Sequence, residues 1–100
     1  MGKGRNKSFD ELLSKQLRNP EFARGYIFEA MRGEGALTIE EVLFEMIQII
    51  GIKEYAELVG MQASNVTRML SSGEVPKIET INRLLAPFGL KAKIDVEEVV

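Results

Sequence analysis

One hundred residues, of which 45% are hydrophobic and 28% charged, suffice for a single folded domain and exclude a second full one. With no Cys and no His, the chain cannot form a disulfide, a Cys/His zinc site, a Ser-His-Asp triad or a Cys-His nucleophile pair, which removes most hydrolase chemistry. The formal charge of −2 argues mildly against a nucleic-acid partner, yet it is unevenly distributed, at +2 over 1–37, −4 over 38–60, +3 over 61–93 and −3 over 94–100, so the third quarter retains a basic excess that a phosphate-facing surface can use.

Residues Met1 to Lys7 (MGKGRNK) contain two Gly and three basic groups with no large apolar residue after Met1, and a mobile basic arm is expected there. Ser8 with Glu11 forms a capping-box pattern, and Phe9, Leu12, Leu13 and Leu17 recur at helical spacing up to Asn19-Pro20. Asn19 is the expected N-cap of a second helix with Pro20 in its first position, followed by the stripe Phe22, Ala23, Tyr26, Ile27, Ala30 and Met31 as far as Gly33. Thr38 and Glu41 repeat the capping box. Ile39, Val42, Leu43, Met46, Ile47 and Ile50 then keep the 3.6-residue period, with Ile49 broadening the apolar arc, until Gly51 ends a helix expected at the centre of the fold.

Shorter helices are predicted over Lys53 to Val59, from about Gln62 or Ala63 to Ser72, and from about Lys77 to Ala86, ahead of Pro87. The tail Lys91 to Val96 alternates polar and apolar residues, as one β-strand with Ala92, Ile94 and Val96 on a shared face would. That strand has no partner within the chain. It either pairs with its copy in a second subunit, giving a homodimer, or remains a solvated, frayed tail. The expected architecture is thus all-α: a compact bundle of five to six helices with one short C-terminal strand, divided into an arm (1–7), an N-terminal helical pair (8–35), a central unit (36–90) and a C-terminal strand and tail (91–100). No run of about 18 apolar residues, no secretory h-region and no lipidation motif is found, so a cytoplasmic protein without a membrane partner is expected.

The most informative stretch runs from Ile52 to Leu90. A helix-turn-helix needs a small residue where two helices approach, a turn residue that tolerates positive φ, and apolar residues that lock the second helix onto the first; Ala56, Gly60 and Val66 take these parts, with Met69 and Leu70 beyond. This stretch resembles the helix-turn-helix of the Cro and lambda-repressor (XRE-type) regulators. A narrower likeness extends to the remainder, because SFDELLSKQLRNPEFARGYIFEAM, the turn Leu70-Ser71-Ser72-Gly73 and the ending Pro87-Phe88-Gly89-Leu90-Lys91 resemble the HigA-like addiction-module antidote proteins. The resemblance implies an antitoxin that represses its own operon as a dimer and neutralises a RelE/HigB-type toxin. Many proteins of this description are instead isolated prophage regulators.

With Ala56, Val66, Met69 and Leu70 turned inward, the outward face of the second motif helix carries Gln62, Ala63, Ser64, Thr67 and Arg68 as expected base contacts, with Arg68 the best placed for guanine. Asn65 falls between the two faces, where local bonding is the expected use. Ala63 departs from the repressor-like pattern, which usually places a longer polar side chain there, and limits contact at that position to a thymine methyl, leaving more of the selection to DNA shape. Lys53, Ser71, Ser72, Lys77 and Arg83 are expected phosphate contacts, each with a solvated surface residue as its plainer reading. Lys3, Arg5 and Lys7 have the composition of a minor-groove arm, although basic starts of this kind are commonly solvent-exposed without further role.

Other signals are weaker. Gly33-Glu34-Gly35 lacks the context of a dinucleotide loop, and no phosphate loop occurs. Glu40, Glu41 and Glu45 share a helix face and read as solvated carboxylates complementing the helix dipole. Met31, Met46 and Met69 fall on core stripes and read as gap-fillers. No catalytic residue, metal or cofactor is therefore assigned, and an enzyme is not expected. A helical protein-interaction module without DNA binding remains the competing reading, favoured by the net acidity and by Ala63.

Overall fold

The computed structural model describes residues 7–99, with side chains from Glu11 to Val99. Its elements are α1 (Lys7–Leu17), α2 (Pro20–Ala30), α3 (Ile39–Ile50), α4 (Ile52–Val59), α5 (Ala63–Ser71) and α6 (Ile78–Leu85), followed by a 3-10 turn at Ala86–Phe88. The expected basic arm lies outside the described residues except for Lys7, which already belongs to α1. That helix therefore includes Ser8, and the capping role expected of the Ser8 side chain lies outside the described side chains.

Local chemistry sets the clearest boundaries. The Asn19 side-chain oxygen accepts from the Glu21 N–H (2.9 Å) and the Phe22 N–H (3.4 Å), while Pro20 takes a position where no N–H is needed. At α3 the capping box closes in both directions, Glu41 N–H donating to Thr38 Oγ1 (3.2 Å) and Thr38 N–H to Glu41 Oε1 (2.9 Å). Glu41 remains exposed at the helix end it caps, as a dipole complement does, while the half-buried Glu45 accepts a hydrogen bond from the Tyr26 hydroxyl and so holds α3 to α2 instead of standing free in solvent.

Several expected boundaries shift. α2 stops at Ala30 because the chain turns away at once, with Leu37 N–H bonded back to Ala30 O (2.9 Å) and with Gly33 and Gly35 both at positive φ. Met31, just past that end, is 40% exposed and is no core gap-filler; Phe22, in the first turn of α2, is 39% exposed, so the second stripe is narrower than its periodicity suggests. Met46 is buried and Met69 half-buried. α6 yields to the 3-10 turn one residue before Ala86, and Pro87 sits inside that turn, where its fixed φ suits the tighter winding.

The C-terminal strand is the main correction. Residues 91–99 adopt no regular structure, because a period-2 pattern supplies a face but not the neighbouring strand whose N–H and C=O groups a ladder requires. The Ala92 N–H instead donates to the Asn82 side chain at 2.7 Å, and beyond it Ile94 and Val96 stand 76% and 93% exposed. Among the described residues no strand is present.

α3 packs against α1, α2 and α4, as its broad apolar arc requires. Leu17, Ala23 and Ile27 from the first two helices are buried in the same cluster as Leu43, Ile47, Tyr55, Leu84 and Phe88, so the N-terminal pair shares its core with the helices that follow. Arg24 reinforces this junction by donating from Nη1 to the Phe88 carbonyl at 2.9 Å, an acceptor the 3-10 turn leaves without a helical partner. The consequence for the surface is that α4, α5 and α6 are mounted on a continuous apolar body.

Candidate nucleic-acid interface

The corner between α4 and α5 is built by Gly60-Met61-Gln62. Gly60 takes φ 70°, ψ 33°, a left-handed conformation open to glycine at little cost, and the Met61 N–H closes a Schellman-type cap on the Ala56 carbonyl at 2.9 Å. Ala56 is buried where the helices approach and Val66 is buried on the facing side of α5, with Met69 and Leu70 half-buried beside it. Of the four expected motif-core residues, Ala56 and Val66 are buried, Met69 is half-buried and Gly60 is exposed at the corner itself, with α4 and α5 packed against each other.

Because Val66 and Met69 point into the body, the helical period turns the other side of α5 outward. Gln62, Ala63, Ser64, Thr67 and Arg68 are all exposed. Asn65 is exposed as well and lines a groove with Arg68, so it joins the outward set from which the reading of the sequence left it out. α5 has no side-chain cap, in contrast to α2 and α3, which leaves the first backbone N–H groups of a helix bearing no acidic residue in its first turn directed at solvent. α4 and α6 likewise begin without a side-chain cap, Lys53 lying in the first turn of α4 and Lys77 at the N-cap of α6.

Not all of the expected phosphate contacts converge. An open groove of about 460 Å³ brings together Asn65, Arg68, Ser72, Lys77 and Thr80, with the carboxylate of Glu74 also on its lining. Lys53 lies apart from this groove, exposed on α4. The serine hydroxyls are engaged locally: Ser71 Oγ donates to the Thr67 carbonyl (3.0 Å), while Ser72 Oγ donates to the Met69 carbonyl (3.2 Å) and accepts from the Glu74 N–H (3.2 Å). They finish α5 and start the turn that follows, leaving any anion only their remaining acceptor-rich oxygens, a poor arrangement for phosphate.

Arg83 has a use that the sequence did not suggest. Its guanidinium donates through Nη2 to the Gly60 carbonyl (2.7 Å) and through Nε to the Val59 carbonyl (3.4 Å), satisfying the orphan C=O groups at the end of α4 and tying α6 to the corner. Arg83→Ala is expected to lower stability by about 1 kcal/mol, the net worth of such charge-assisted bonds at an exposed site, and Arg83→Lys to restore only part of it, since an ammonium cannot span two carbonyls as a planar fork does. Chemical denaturation followed by circular dichroism measures both; equal stability of all three proteins would remove the clamp.

Comparison with protein-family models, with curated proteins and with solved structures returns no match to this chain.

Proposed function

We propose that this protein is a sequence-specific DNA-binding regulator in which α4, the Gly60 corner and α5 act as a helix-turn-helix, and that it serves as the antitoxin and autorepressor of a toxin-antitoxin module of the HigA type. The observation that carries the reading is the division of α5: Val66 is buried, while Gln62, Ser64, Thr67 and Arg68 stand exposed on a helix whose N-terminal amides lack a side-chain cap. In a major groove, that face offers Arg68 for bidentate pairing with guanine, Gln62 or Asn65 for adenine, and the amides of the first turn for a phosphate. Lys53 and Lys77 position the duplex; Arg83 contributes by holding the corner in shape. The regulator acts as a homodimer, as two copies of one reading helix on two half-sites require, with the C-terminal segment as its pairing element. The acidic stretch 38–60, including the exposed Glu57, suits encounter with a basic RelE/HigB-type toxin.

The test is a gel-shift titration against duplexes from the protein's own promoter region at several salt concentrations. Specific retardation is expected, with log affinity falling linearly in log salt at a slope of about −0.9 for each phosphate neutralised. Equal, weak retardation of every duplex would favour the competing reading, a helical protein-interaction module, for which the exposed Ala63 and the net acidity speak. An adjoining reading frame for a small basic protein separates the antitoxin from an orphan prophage regulator.

A further inference from the structure

We propose that the apolar groove beside α2 receives the C-terminal tail of a second copy of this chain, so that the protein dimerises by reciprocal exchange of residues 94–99. The groove, of about 350 Å³, is walled by Phe28, Met31, Ile39 and Leu85, with Lys91 and Lys93 also on its lining. Phe28 and Met31 are among the larger apolar side chains left exposed, 53% and 40% respectively, and they adjoin one another on a single turn of α2 and its end. Exposed apolar residues that share a concave surface mark a contact site more strongly than the same residues scattered singly.

The occupant follows from what leaves the groove. The tail carries Ile94 and Val96, which an extended backbone places on one face, and both are exposed along with Val99. Two branched aliphatic side chains match a cavity of this size and lining. The charges match too, since Asp95, Glu97 and Glu98 make the tail −3 while the exposed groove residues Lys91 and Lys93 are cationic. Within one chain the ion pair of Lys93 with Asp95, at 3.9 Å, is more than four-fifths exposed on both sides and contributes little.

A chain cannot readily fill its own groove. The root of the tail is pinned where Ala92 N–H meets Asn82, and Lys91, Ala92 and Lys93 already form one wall of the groove, so Ile94, one residue beyond that wall, would have to fold back against it to enter. Residues 91–100 contain no Gly, Pro or Asn, and their one turn-favouring residue, Asp95, follows Ile94 instead of preceding it. Running on into the groove of a second copy needs no reversal, and a two-fold axis then satisfies both grooves with both tails. This rests on the homodimer in the preceding reading, but sedimentation and cross-linking detect it without any duplex, so failure here and failure of the gel shift are separate results.

The chain has no Cys, which makes single-cysteine variants unambiguous reporters. Sedimentation of the full chain should give a dimer of about twice the 11.2 kDa monomer. Removing residues 94–100, or the substitution Val96→Asp, should weaken association at least tenfold with an unchanged far-ultraviolet spectrum. A Met31→Cys chain mixed with a Val96→Cys chain should then yield, on mild oxidation, a covalent heterodimer in excess of either homodimer. The proposal is overturned if the full chain is monomeric at every concentration, if Val96→Cys chains link only to each other, or if a chain carrying both substitutions closes the bond within itself.

Discussion

Replacing Tyr55 by alanine is expected to cost about 3–5 kcal/mol, the range for truncating a fully buried large aromatic, and so to consume much of the stability of a domain that begins with about 5–15 kcal/mol. Tyr55 is 0% exposed, its ring meets Phe88 edge-on with centroids 6.2 Å apart, and its hydroxyl donates to the Leu84 carbonyl at 2.9 Å. That carbonyl lies in the last turn of α6, where a helix leaves its C=O groups without internal donors, so the hydroxyl satisfies an acceptor that would otherwise be buried and orphaned. Tyr55→Phe isolates this second contribution and should cost about 1–2 kcal/mol.

Burial also pushes the Tyr55 phenol above its ordinary range, because the phenolate loses its hydration in the core. An acid whose ionisation is suppressed by folding contributes fully while the unfolded chain is also protonated, and the contribution falls once pH rises past the unfolded value near 10. Denaturation between pH 7 and 11 should therefore show an alkaline loss of stability that is smaller in Tyr55→Phe. If the two proteins lose stability in parallel above pH 10, the phenol is not shielded as described.

The devices legible in the sequence are those whose partners lie within one turn of helix. Asn19 with Pro20, and Thr38 with Glu41, carry donor, acceptor and spacing within a few residues, and each behaves as its pattern requires. The apolar arc of α3 is equally plain, because six of its side chains recur at one period, of which five are buried and Ile39, at the helix start, is half-buried. What escaped depends on distant segments. Arg83 reads as a surface cation until the folded chain brings it to carbonyls 23 and 24 positions earlier. Tyr55, in a short helix beside Glu54 and Glu57, carries no local sign that it is the largest wholly buried side chain among the described residues. The strand expected over Lys91 to Val96 is absent from the single chain, whose tail is exposed as the alternative had it, since alternation fixes which side chains share a face but does not supply the other half of a ladder.

The candidate site was legible for a related reason: burial of Val66 follows from its spacing to Gly60 and Ala56, and once it is inside, the helical period leaves Ser64, Thr67 and Arg68 outside. Arg68→Ala should accordingly weaken specific binding by about 1–3 kcal/mol per half-site, the value of one bidentate base contact, and therefore by roughly thirtyfold or more in a dimer that makes it twice. Its position, five residues along α5 from Ala63 or about 7.5 Å of helix, calls for a side chain as long as arginine to reach a base edge that the Ala63 methyl cannot hydrogen-bond. Arg68→Lys keeps the charge and loses the fork, so it should retain most of the non-specific affinity while guanine selectivity falls. Because Arg68 is exposed, neither variant should alter the unfolding midpoint appreciably. Lys77→Ala provides the contrast, a uniform loss across all sequences and a salt slope shallower by about 0.9 for each phosphate contact removed, or roughly two units in the dimer. An Arg68→Ala protein that folds normally and still selects its operator with unchanged preference would mean that α5 does not read bases, and the recognition surface would have to be sought elsewhere on the molecule.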